Sequence, residues 1–324
     1  MLCVASSTDV AEMKQKKIVI TGAAGLVGQN LVLWLREQGY EQLVTFDKHV
    51  HNNATLARLN PGVAVHTVDL AERGVWESGF AGAACVVILQ AQITGLFEEE
   101  FRRNNVVANQ HILDACKKHR VPYIIQVSSS VLHSKADDFY VQTKTAQEQT
   151  AVHSGLRYTI LRPTLMFGWF DPKHFGWLSR FMERVPVFPV PADGKFVRQP
   201  LYNRDFCRII QYCIEHQPAG KSFDIVGAED ITYIDIIRLI REIKKLKTRI
   251  VCIPYHLFYV LLWVYALFDK HPPFTCSQLK ALAVGDYFTG VDTRREFGIA
   301  LTPVRDAMKE TFTDVRYADV VIER

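Results

Sequence analysis

A glycine-spaced turn set between a short apolar run and an amphipathic helix limits this chain more than any other feature. Ile18-Val19-Ile20 passes through Thr21 into Gly22-Ala23-Ala24-Gly25-Leu26-Val27-Gly28. A helical pattern follows, with Leu31, Trp34 and Leu35 on one side and Arg36-Glu37-Gln38 on the other, closing at Gly39. A second apolar run, Leu43-Val44-Thr45-Phe46, ends on Asp47. Strand, glycine turn, helix, strand and acid in this order make the first unit of a dinucleotide-binding fold.

Each residue type there has a task. Gly22 allows a sharp turn after the strand, where a Cβ is strained. Gly25 lets the backbone approach a pyrophosphate, and Gly28 lets the helix pack closely on the strand. The N–H groups of the turn and first helical residues, Ala24, Leu26 and Val27 among them, face the phosphates with the positive end of the helix dipole. Asp47, about twenty residues past the glycines, accepts the ribose hydroxyls and repels a 2′-phosphate, which favours NAD over NADP. Lys48 weakens that preference without reversing it.

The two-residue spacing between successive glycines resembles the extended branch of the short-chain dehydrogenase/reductase superfamily, the NAD-dependent epimerase/dehydratase family. The resemblance implies an α/β Rossmann fold with a doubly wound parallel sheet. It also implies a smaller, partly interleaved C-terminal substrate domain. At 324 residues the chain has room for both, with the NAD-binding domain over 16–168 and the substrate domain mainly over 169–324.

Composition narrows the class further. A formal charge of +4 gives no argument for a nucleic-acid partner. Seven cysteines lie scattered without a Cys-x-x-Cys pair, which reads as reduced thiols in a cytoplasmic setting, with no disulfide framework and no metal site. The N-terminus lacks a basic stretch followed by an apolar one, so no signal peptide is expected, and residues 1–15 read as a loose leader.

Along the chain, a polar stretch over His49–Pro61 is broken by Asn52-Asn53 and Pro61-Gly62; Val63–Val68 then reads as a third strand and leads to Asp69-Leu70, which the resemblance places beside the adenine. Cys85–Leu89 is apolar throughout, as in a parallel strand buried on both faces. It runs into Gln90-Ala91-Gln92, where the family more often has His-x-Ala-Ala; the small residue beside the cofactor is kept. Asn104-Asn105-Val106 opens a helix and is similar to the family's Asn-Val motif, whose asparagine, Asn105 here, braces the active site. Glu98-Glu99-Glu100 and Arg102-Arg103 read as a solvated helix face. A fifth strand, Tyr123–Val127, delivers Ser128-Ser129-Ser130, and twelve residues after Ser128 stands Tyr140-Val141-Gln142-Thr143-Lys144.

Tyr-x-x-x-Lys puts both side chains on one helix face, one turn apart. The Lys144 ammonium is expected to lower the phenol pKa of Tyr140 and to hold the nicotinamide ribose. A serine hydroxyl orients the substrate oxygen while Tyr140 takes or returns its proton. The family's Ser-Ser-x-x-Val-Tyr-Gly, laid on Ser128–Ser134, selects Ser129, with Ser130 as fallback. The family's 4,6-dehydratases carry Asp-Glu where this chain has Ser130-Val131, so 4,6-dehydration is disfavoured. Oxidation, reduction or epimerisation remains.

In the second half, Tyr158–Pro163 reads as a sixth strand. With Met166-Phe167-Gly168 it resembles the family's Arg-Pro-x-x-x-[Tyr/Phe]-Gly, which places Pro163 at the nicotinamide. Arg198 falls in a stretch similar to the nucleotide-sugar enzymes' Arg-Asp-[Tyr/Phe]-[Ile/Val]-His-Val-x-Asp, where the first arginine binds the substrate's diphosphate. Phe223–Gly227 looks like a strand, and Thr232-x-x-Asp235 caps a helix with Ile236, Ile237 and Ile240 inward. Ile250–Phe268 is apolar and aromatic and follows the basic run Lys244–Arg249. Interrupted early by Pro254 and His256, it is too short to span a bilayer. It reads as a buried helix of the substrate domain, as a dimer face, or as a monotopic membrane patch.

Three functions follow. The leading one is an NAD-dependent epimerase or dehydrogenase acting on a nucleotide sugar. The second keeps the chemistry and takes a hydroxysteroid or other hydroxylipid, on a resemblance to 3β-hydroxysteroid dehydrogenases. The third is a non-catalytic NAD(P)H-binding subunit, against which Ser129, Tyr140 and Lys144 argue. The resemblance also implies a homodimer.

Overall fold

The computed structural model describes residues 7–134, 138–268, 279 and 287–323. The chain begins with helix α1 (Ser7–Lys14), β1 (Lys17–Thr21), α2 (Leu26–Glu37), β2 (Leu43–Asp47), α3 (Val50–Leu59), β3 (Ala64–Thr67) and β4 (Ala83–Ile88). Next come α4 (Glu98–Phe101), a π-helical stretch (Arg102–Val107), α5 (Ala108–Lys118), β5 (Ile124–Val127), α6 (Phe139–Val152), β6 (Tyr158–Pro163) and β7 (Met166–Phe167). The second half holds α7 (Phe175–Arg184), β8 (Val187–Pro191), β9 (Val197–Arg198), β10 (Leu201–Tyr202), α8 (Asn203–His216), β11 (Lys221–Ile225), β12 (Ile231–Thr232), α9 (Tyr233–Ile243), β13 (Arg249–Ile253) and α10 (Tyr255–Phe268). Short helices at Thr293–Phe297 and Val304–Thr313 follow.

Among the described residues the main sheet has seven parallel strands in the order β11-β6-β5-β4-β1-β2-β3. The order reverses at β1/β4, and ligands of such sheets bind in the crevice outside the strand ends at that switch point. Strand alternation builds the two layers. Ile18, Ile20, Cys85 and Val87 face one way, onto α2 and α8, and Val19, Val86 and Ile88 face the other, onto α5. That is why these strands are apolar at every position.

The glycine turn is fixed by contact as well as by conformation. Gly22 has φ +70°, and a Cβ there falls 2.4 Å from the Gln90 nitrogen at the end of β4. A Cβ on Gly28 falls 2.4 Å from the backbone of Ala23. The first strand, its turn and the head of α2 therefore nest at a distance no other residue permits.

The two halves interleave: α8 packs against α2, and β11 forms the edge of the main sheet beside β6. The rest of the second half has its own core, in which Phe175, Met182, Phe188, Ile236, Ile237, Ile240 and Met308 pack together. Thr232 caps α9 as its sequence suggests, its Oγ1 accepting the Asp235 N–H at 3.3 Å and donating to the Asp235 carboxylate at 2.5 Å. Paired two-residue and five-residue strands, β7–β10, β9–β12 and β8–β13, tie the helices together.

Three expectations change. The loose leader contains α1, whose Met13 packs against the main core. The polar stretch after Asp47 is helical as α3, because Asn52 and Asn53 are buried with tertiary partners: the Asn53 amide donates to the Asp47 carbonyl and to Thr67 Oγ1, both at 2.9 Å. Of the three readings of the apolar segment at 250–268, the buried helix does not hold for the described side chains. Phe258 is buried, but Leu257, Val260, Leu261, Trp263 and Val264 are exposed.

Candidate active site

A cavity of about 730 Å³ opens over the switch point, within the size range of small-molecule and cofactor sites. One end is walled by Gly22, Gly25, Leu26, Val27, Asp47, Asp69, Leu70, Leu89, Gln90 and Ala91. Ser128, Ser129, Ser130, Tyr140 and Pro163 form the middle. Lys173, His174, Trp177, Leu178, Arg198, Tyr233, Ile236 and Phe288 form the far end.

The first end suits a dinucleotide on its own geometry. The head of α2 starts at Gly25 with no side-chain cap, leaving its first-turn N–H groups to an anion. Asp47 is 8 % exposed. Its Oδ2 accepts the Ala24 N–H and its Oδ1 the His49 N–H, each at 3.0 Å. A carboxylate so held has lone pairs left for hydroxyl donors. Lys48 points to the Asn104 side chain at 3.0 Å.

Asp69 is engaged by an unforeseen partner. Arg103, read as part of a solvated face, donates to the Asp69 carboxylate at 2.6 Å and to Glu72 at 2.8 Å. Burial pushes the Asp69 carboxyl up, but the Arg103 hydrogen bond and the Ala71 N–H outweigh it and hold the group below the usual range.

The middle is positioned by two helix starts and a brace. Ser129 caps a single turn at Ser130–His133, its Oγ accepting the Val131 N–H at 3.4 Å. Asp138 caps α6, its Oδ1 accepting the Val141 N–H at 2.9 Å, so Tyr140 lies in the first turn beside the cavity. Burial pushes the Tyr140 phenol up; the Ser129 side chain beside it pulls the other way, and the Asp138 carboxylate adds to the rise. Asn105 sits in the π-helical stretch, a local geometry often found at functional sites. Its Oδ1 accepts the Gln92 N–H at 2.6 Å and its Nδ2 donates to Thr143 Oγ1 at 3.0 Å. It thereby ties the loop after β4 to the helix that carries Tyr140.

Lys144 departs from expectation. It is 1 % exposed and lies behind the cavity wall. Its ammonium donates to the Val127 carbonyl at 2.8 Å and to Gln147 Oε1 at 2.5 Å. Burial drives its pKa down to about 7, opposed by the Glu148 carboxylate. The Tyr140 phenol is therefore raised rather than lowered, because in this arrangement desolvation dominates and the lysine charge is spent on the strand end. Glu148 is itself clamped by Arg162 at 2.5 and 3.0 Å.

Of the residues singled out in the sequence for the cofactor, Ala24, Gly28, Asn105, Val127 and Lys144 stand behind the cavity wall, and the others line it. Arg198 lines the far end, from β9, which pairs with β12. The rest of that end went unread. Lys173, His174, Trp177 and Phe288 carry no spacing signal, and they meet only because α7 and the chain after residue 286 fold over the cavity. Ile236 was readable as an inward position of α9, though not as cavity wall.

This chain belongs to the NAD dependent epimerase/dehydratase family, whose profile matches residues 18–226. It is 22% identical over 263 residues to a dTDP-glucose 4,6-dehydratase of Actinoplanes, covering 70% of this chain and 81% of that one. It is also 22% identical over 273 residues to a bifunctional dihydroflavonol 4-reductase/flavanone 4-reductase of Malus domestica, covering 71% and 76%. Among solved structures, the dTDP-glucose 4,6-dehydratase DesIV of Streptomyces venezuelae with NAD and TYD bound superposes with a TM-score of 0.71, at 18% identity over 91% of this chain and 95% of that one.

Proposed function

We propose that this protein is an NAD-dependent dehydrogenase or epimerase that acts at a hydroxyl-bearing carbon of a nucleotide-diphosphate sugar. The observation that carries the reading is that Ser129 and Tyr140 stand together on the wall of a single cavity. That cavity has a glycine turn and an acid at one end and Arg198 at the other. NAD, when bound, supplies the hydride acceptor. Ser129 orients the substrate oxygen, Tyr140 takes its proton, and Lys144 keeps a titratable positive charge one helical turn behind. Arg198 clamps the diphosphate.

Having no carboxylate at the two chain positions directly after Ser129 favours redox or epimerisation over 4,6-dehydration. Ser130 and Val131 hold those places, and among the described residues the carboxylates on the cavity wall are Asp47 and Asp69, both at the dinucleotide end. Moving protons at neighbouring sugar carbons calls for groups this wall does not present.

Thermal melts with a panel of nucleotide sugars test the reading, since a ligand of the native state raises its Tm. NAD and a UDP- or dTDP-hexose are each expected to raise it. In Arg198→Ala the NAD shift persists while nucleotide-sugar affinity falls about 10- to 100-fold, the loss of a charge-assisted contact. An unchanged affinity turns the case toward the second reading, a hydroxysteroid or hydroxylipid, which the Trp177, Leu178, Ile236 and Phe288 side of the cavity favours.

Cofactor choice gives a separate check. Asp47→Ser is expected to weaken NAD about ten-fold or more and to bring NADP affinity up towards that of NAD, because the repulsion of a 2′-phosphate is gone. Fluorescence titration with both dinucleotides measures it. Equal NAD affinity in parent and variant places the ribose elsewhere.

A further inference from the structure

The segment from β13 into α10 has no task in that reading, and its surface is unusual. Leu257, Val260, Leu261 and Val264 recur at helical spacing and are 50%, 51%, 53% and 39% exposed, with Trp263 beside them at 56%. Helical geometry stacks positions i, i+3, i+4 and i+7 on one side, so these form a stripe rather than a scatter. A stripe of large apolar side chains facing solvent marks a surface that another body covers.

Charge says which body. Lys245, Lys247 and Arg249, all exposed, stand at or before the start of β13, and α10, which follows that strand, packs on its partner β8. The acids beside that run are occupied: Glu242 pairs with Arg305 at 2.8 Å and Glu183 with Lys244. α10 itself carries no charged residue. A second copy of the chain meeting this face across a two-fold axis brings the same cations towards one another, which disfavours self-association. An anionic headgroup layer complements them, with the apolar stripe against the acyl boundary and Trp263 at the interface. Among the described residues no helix is long and apolar enough to cross a membrane; the 14 described residues of α10 reach about 21 Å against a hydrocarbon core of about 30 Å.

We propose that the α10 stripe and its basic lead-in seat this protein on the surface of an anionic lipid bilayer, the helix lying in the plane of the interface. This inference stands whether or not the substrate is a nucleotide sugar.

Flotation of the full-length protein with phosphatidylcholine vesicles, with and without phosphatidylserine, is the test. Co-flotation is expected with the anionic vesicles at low salt and should weaken as salt rises. Lys245→Glu/Lys247→Glu/Arg249→Glu should lower binding at least about a hundred-fold. Leu261→Glu/Val264→Glu should abolish it with an unchanged melt, since both side chains already face solvent. Quenching by brominated lipid should fall in Trp263→Phe, which reports depth without altering charge. Failure to float at low salt overturns the proposal, and so does binding that survives Leu261→Glu/Val264→Glu. A dimer in sedimentation that the same pair dissociates, without vesicle binding, assigns the face to a second copy instead.

Discussion

Replacing Tyr140 by Phe is expected to reduce turnover by about three orders of magnitude, the range for losing a positioned acid–base group. NAD and sugar-nucleotide affinities should stay within a few-fold of the parent. The ring keeps its place in the first turn of α6, and the lost group is the hydroxyl on the cavity wall beside Ser129. Removing it costs about 1 kcal/mol of stability or less, so the loss of rate cannot be laid to unfolding. The parent's pH profile should show the same group. Burial raises the phenol above its ordinary value, so at neutral pH it carries its proton. Oxidation needs the phenolate and should therefore speed up as pH rises, while reduction, which draws on the protonated phenol, should be faster at neutral pH than in alkali. Nicotinamide absorbance in both directions measures this. If Tyr140→Phe turns over as the parent does, the chain is a dinucleotide-binding subunit without this chemistry.

Most of the first half was legible because its signals are local. Gly28 is demanded by the Ala23 backbone within the same βαβ unit and Gly22 by the positive φ of its own turn, and each apolar strand declares its burial through its own residues. Tyr158–Pro163 forms a strand over the limits its sequence suggests. What escaped depended on partners distant in the chain. Asn52 and Asn53 look like helix breakers until the Asp47 carbonyl, Thr67 and the Glu323 carbonyl satisfy them. Arg103 looks solvated until Asp69, 34 residues away, is beside it. Lys144 shows the limit most clearly. Its spacing from Tyr140 was evident, but whether its ammonium faces the cavity or the Val127 carbonyl depends on the end of β5, which no helical pattern encodes. For α10 the composition was plain and the environment stayed open, since apolarity specifies a need for cover without saying what supplies it.

Lys144→Met should reveal that burial through the pH dependence of stability. In the folded protein the Lys144 pKa is lowered from 10.5 to about 7. Below about pH 7 both folded and unfolded chains hold the proton, and the folded state bears the full cost of a buried ammonium. Between about pH 7 and 10.5 the unfolded chain binds a proton the folded one has released, so stability rises with pH. The slope approaches about 1.4 kcal/mol per unit. Methionine has no such proton. The unfolding free energy of the parent minus that of the variant should therefore grow by about 2–4 kcal/mol from pH 7 to pH 10. Every other titrating group cancels in that difference, as does the fixed loss of the bonds to Val127 and Gln147. Urea melts of both proteins at several pH values give the quantity directly. A difference that stays flat with pH means that Lys144 keeps an ordinary pKa, and then its charge is available to Tyr140 after all. A rising difference means the lysine is near its midpoint at neutral pH. It can then exchange a proton in the range where the phenol, raised by burial, is slow to do so unaided.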